Sequence, residues 1–157
     1  MAGCIRPTRA RKLDIGIVRL PLGNVGDLTL QVIRRERFVA VLPSAHTLAG
    51  APTLRLEQLA GEQFIVFPPD KVPSLHTKFL LACQKAGSSP KVALEAWQIS
   101  SVINLVAIGV GIALLPEQVC AIQHPGVEYK PLANRISHLD LEIAVACRQD
   151  DQTAGIQ

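Results

Sequence analysis

A chain of 157 residues with 48% hydrophobic and 18% charged side chains carries enough apolar material for a sizeable core, which excludes a disordered chain. Aromatics make up only 4%, so Val, Ile, Leu and Ala must fill that core, a bias that suits helices packed on an α/β sheet. The formal charge is +3, yet residues 1–37 hold eight basic side chains against three acidic ones, +5, which leaves −2 for the remainder. Such a basic end is a solvated surface or a nucleic-acid contact, and no recognition motif accompanies it.

Met1 to Lys12 shows no period of its own. Leu13 to Val18 predicts a strand, and Arg19 to Asp27, with Pro21, Gly23, Asn24 and Gly26, predicts a loop. Arg19 is read as a surface arginine or a ligand contact. Leu28 to Ile33 alternates as a strand would, and Arg37 to Leu42 is a strand stopped by Pro43. After a loop over Ser44 to Pro52, a short helical turn covers Leu56 to Ala60 and ends at Gly61. Gln63 to Phe67 is a strand halted by Pro68 and Pro69. Ser74 caps the next helix, whose inner face is Leu75, Phe79, Leu80 and Cys83, and Gly87 closes it. Lys91 to Trp97 predicts a strand with Val92, Leu94 and Ala96 alternating.

Gln98 to Pro116 is the most informative stretch. A helix with Val102, Leu105 and Val106 at core spacing exits at Gly109 and Gly111, and the run Ile112 to Leu115 is a strand covered on both faces. Ser100 or Ser101 is placed to cap that helix, because a serine hydroxyl accepts from a first-turn amide. The same polar start can instead hold an anionic or polar small molecule on its remaining amides. A short helix at Glu117 to Ile122, a turn at His124 to Gly126 and strands at Val127 to Leu132 and Leu139 to Cys147 complete the pattern; Arg148 to Gln157 is a polar tail. Alternation of strand and helix from 37 to 116 predicts a mainly parallel sheet.

Other chemistries find little support. Gly109-Val110-Gly111 follows a helix, whereas a dinucleotide loop follows a strand and opens a helix. The histidines at 46, 76, 124 and 138 make no pair with one another at zinc-site spacing, and His124, four after Cys120, gives two candidates that do not close a site, so no metal is expected. Ser44-Ala45-His46 lacks a nucleophile elbow, and the carboxylates at Glu57, Glu62, Asp70, Glu95 and Glu117 are scattered, so no catalytic residue and no cofactor is assigned. Cys4, Cys83, Cys120 and Cys147 share no CxxC, and no apolar leader or bilayer-length run occurs, which predicts a cytoplasmic chain with free thiols and no membrane partner.

LDIGIVRLP, RFVAVLPSAHTLAG, LEQLAGEQFIVFP and SSVINLVAIGVGIALLP, in that order, resemble the effector-binding domain of LysR-type transcriptional regulators from about Leu13 to Arg148. The resemblance implies an α/β fold of the type II periplasmic-binding-protein kind, two subdomains joined by crossover strands. It implies a remnant of subdomain one over 1–40, a nearly complete subdomain two over 41–147 and a tail over 148–157. The helix-turn-helix, the first part of subdomain one and its effector contacts are not expected in this chain, so isolated binding is expected to be weak or undetectable. Carried over by position, Gln98, Ile99, Ser100 and Ser101 match the effector-contacting turn, Phe67 and Pro68 a strand end near the cleft, and Leu42, Pro43 and Cys147 the hinge. The implied function is sensing of a small organic acid effector within a regulator, as a homodimer, with DNA reached only through the helix-turn-helix. A solute-binding protein of the same fold and a cytosolic α/β enzyme are the alternatives.

Overall fold

In the computed structural model, which describes residues 15–133 and 140–148, the chain divides into two units with separate cores. The boundaries fall between Arg35 and Glu36 and between Leu141 and Glu142. These differ from the expected 40/41 and 147/148, and strand pairing is the reason: β8 (Leu141–Arg148) runs antiparallel along β1 (Ile15–Leu20), Ile15 opposite Cys147 and Leu20 opposite Glu142. A strand 121 positions on in sequence thus completes the smaller unit.

That unit orders its strands β1-β8-β2, with β2 at Leu28–Glu36, longer than the expected 28–33. Its small core is Val18, Leu28, Ala144 and Ala146, with Leu20, Leu22 and Leu30 packed on it. Arg35 Nε donates to Glu142 Oε1 at 3.0 Å across the unit. Arg19, expected at a surface or on a ligand, is buried within β1, only 3% exposed.

The larger unit is built on β3 (Phe38–Pro43), β4 (Gln63–Val66), β5 (Lys91–Glu95), β6 (Ala113–Pro116) and β7 (Val127–Pro131). Between them stand α1 (Pro73–Lys85) and α2 (Ile99–Ala107), with 3-10 turns at Leu56–Leu59 and Glu117–Ala121. β3 lies antiparallel between β6 and β7, while β4 and β5 pair in parallel. A parallel bridge from Phe64 to Ile112 ties the two ladders together, with Ile65 N donating to Ile112 O and Ile112 N to Gln63 O, both at 2.8 Å. The expected mainly parallel sheet is therefore mixed, because the strand that enters the unit, β3, runs against both its neighbours.

One core serves this unit, from Val39, Val41 and Leu42 through Phe64, Phe79 and Cys83 to Val102, Val106 and Leu115. The rings of Phe64 and Phe79 meet edge to face at 5.2 Å between centroids, an arrangement favoured by ring quadrupoles. β6 is buried along its length, as its unbroken apolar run predicts. Leu80, by contrast, points outward at 44% exposure, and Ala82 takes its place on the inner face of α1. β5 ends at Glu95 and is exposed throughout, so its alternation marks no buried face. Leu42 and Pro43 belong to the β3–β7 ladder, opposite Glu128 and Val127, rather than to either passage between the units; Cys147 lies six residues beyond the second passage, in β8.

A candidate effector site at the carboxyl ends of β4 and β5

The parallel pairing of β4 and β5 carries both strands toward the same end. Val66 stands opposite Glu95, and the last backbone rung runs from Ala96 N to Val66 O at 2.9 Å. Beyond that rung the chain continues as Phe67-Pro68 on one side and Trp97-Gln98 on the other, so Phe67, Pro68 and the start of α2 emerge at one edge of the unit. Ligands of open α/β sheets collect outside such carboxyl ends. Phe67 is buried, Pro68 half-buried, Gln98 and Ser100 exposed, and Ile99 and Ser101 half-buried.

The helix start differs in register from the expected one. Gln98 is the N-cap, extended at φ −99° and ψ 129°, and no side chain caps the helix. Ser100 and Ser101 therefore stand inside the first turn rather than before it. The first amide with an acceptor in the helix is that of Val102, which donates to Gln98 O at 3.1 Å. The amides of Ile99, Ser100 and Ser101 precede it, and with the aligned peptide dipoles they form the positive end of α2. The helix stays seated because Val102, Ile103 and Val106 are buried beneath it. Its far end closes at Gly109, φ +81°, a left-handed conformation that glycine adopts without steric cost.

The other strand end has a different fastening. His76, in the first turn of α1, places Nδ1 2.7 Å from Phe67 O, while Lys71 N and Val72 N donate to Pro68 O at 3.2 and 3.0 Å. The sequence offered His76 only as a metal ligand to be weighed and set aside; its partner, a backbone carbonyl nine positions earlier, leaves no signal in residue spacing. Ser74, expected to cap α1, is its second residue; Val72 is the N-cap and Pro73 opens the helix, where its lack of an amide proton costs nothing. Among the described residues no three His, Cys, Asp or Glu side chains gather as a metal site, and no helix is long and apolar enough to cross a membrane. Cys83, Cys120 and Cys147 are free thiols; Cys4 lies outside the described residues.

The larger unit is thus an α/β layer on mixed strands, with two parallel strands ending together at one edge. The family model for the LysR substrate binding domain matches residues 1–157, and the chain belongs to that family. Among its relatives, the HTH-type transcriptional regulator BudR of Raoultella terrigena is 33% identical over all of this chain and 53% of its own length. CatR of Pseudomonas putida is 34% identical over 82% of this chain and 44% of its own. The chain thus spans about half the length of the regulators it matches. Of solved structures, the BenM effector binding domain with its effector benzoate superposes with a TM-score of 0.83 at 22% identity, covering 95% of this chain and 67% of that one. Full-length CbnR complexed with its target DNA gives 0.84 at 17% identity, covering 96% and 52%. The fold is that of LysR effector-binding domains.

Proposed function

We propose that this chain is the effector-sensing part of a LysR-type regulator and that the start of α2 binds a small organic acid. The observation that carries this is that Phe67-Pro68 and Gln98–Ser101 both follow the paired carboxyl ends of β4 and β5, where the leading amides of α2 favour an anion. The relative whose structure holds benzoate supports the class of ligand. Gln98, Ser100 and Ser101 supply polar contacts beside Ile99, and Phe67 and Pro68 supply the apolar wall. In this reading the chain senses and does not catalyse, acts in the cytoplasm as a homodimer, and reaches DNA through a helix-turn-helix elsewhere in the regulator.

The test is a pair of variants, Ser100→Ala and Ser101→Ala, titrated with benzoate. Each is expected to weaken binding about ten- to a hundredfold, the worth of one lost hydrogen bond to a charged group. Unchanged affinity in both would remove the serines from the site.

A further inference from the structure

Phe67 O lies one residue past the last rung of the β4–β5 ladder, and the imidazole of His76 is its hydrogen-bond partner. A carbonyl only accepts, so at 2.7 Å the proton must sit on His76 Nδ1, which leaves Nε2 as the acceptor of the neutral ring. In water the neutral imidazole prefers its proton on Nε2, so the fold selects the less common tautomer. The side chain is half-buried and rooted in α1, whose Leu75 and Phe79 on either side are in the core. His76 N donates to Val72 O at 3.1 Å, and Val72 N in turn donates to Pro68 O, so ring and backbone close on the same turn.

We propose that His76 is a positioning residue for the effector turn: its Nδ1–H fixes the Phe67 carbonyl and so sets where the Phe67-Pro68 wall stands at the edge it shares with the start of α2. The role of that wall rests on the effector reading above; the hold of His76 on the turn does not. A side chain acting this way is specific in geometry. Asn presents an N–H on the atom bonded to Cγ, where histidine has Nδ1, whereas Leu fills similar space and donates nothing.

The experiment uses the 157-residue chain labelled with nitrogen-15, in its wild-type, His76→Asn and His76→Leu forms. The imidazole spectrum of the wild type is expected to show the Nδ1–H tautomer at neutral pH. Benzoate, followed at the Ser100 and Ser101 amides, is expected to bind about five- to tenfold more weakly to His76→Leu and within about twofold of wild type to His76→Asn. An Nε2–H tautomer, a His76→Leu chain that binds as wild type does, or a His76→Asn chain no better than His76→Leu overturns the proposal. If no form responds to benzoate, benzoate binding by the isolated chain fails by itself. Amide exchange at Lys71 and Val72 then decides for His76: faster exchange in His76→Leu, restored in His76→Asn, upholds its hold on the turn, and equal rates in all three overturn it.

Discussion

A Cβ placed on Gly111 would stand 2.6 Å from Gln63 O, the oxygen that also accepts from Ile112 N at 2.8 Å. Backbone cannot yield there as a flexible side chain would, so Gly111→Ala forces β4 and β6 apart at their bridge. Equilibrium urea unfolding should show a loss of about 1–3 kcal/mol. Gly50→Ala, with nothing near the added carbon, should stay within about 0.5 kcal/mol. Cys83 makes a second prediction at this scale. Desolvation in the core pushes its thiol from 9.0 up to about 11, because burial disfavours the thiolate. A raised value in the folded state means that the contribution is fully present below pH 9 and is lost as pH rises toward 11. Stability should fall over that window and fall less in Cys83→Ala; a Cys83→Ala curve parallel to wild type would contradict this.

At the scale of one element, α2 shows what can be read from residues and what cannot. Its apolar stripe was legible, since Val102 and Val106 recur at helical spacing and both are buried. Its cap was not. Serine and glutamine are both tolerated near a helix start, and the boundary moved by two residues because packing of Val102 and Ile103 fixes the register. That shift separates two roles: neither serine caps the helix, so Ser100→Ala should leave the unfolding free energy from urea titration within about 0.5 kcal/mol of wild type while weakening binding. A loss of about 1 kcal/mol or more in stability would restore the capping role. Ile103→Ala, which empties a site 2% exposed, should cost about 2–5 kcal/mol, whereas Ile108→Ala, at 76% exposure, should cost almost nothing. β5 forms where a strand was expected, two residues shorter, but its alternation does not report burial: Val92 and Leu94 remain 51% and 41% exposed on an edge.

For the whole molecule, local pattern found the elements of the larger unit and missed how the chain is divided. The pairing of β8 with β1 joins residues more than a hundred positions apart, and no spacing rule encodes such a partner. The four family phrases supplied the fold where periodicity stopped. The same apolar edge, with Val92, Leu94 and Trp97 exposed, argues for self-association, since exposed edge strands with apolar faces tend to pair. Sedimentation velocity should therefore show a dimer at micromolar concentration, and a monomer across that range would count against it. At the effector turn, the leading amides of α2 are proposed to receive a carboxylate. Titrating the nitrogen-15 chain with benzoate and, separately, with benzamide, its neutral counterpart of the same shape, tests that claim most directly. Benzoate should move the amides of Ile99, Ser100 and Ser101 at lower concentration than benzamide does. Equal responses to the two compounds, or benzoate shifts that leave residues 98–101 unmoved, would contradict it.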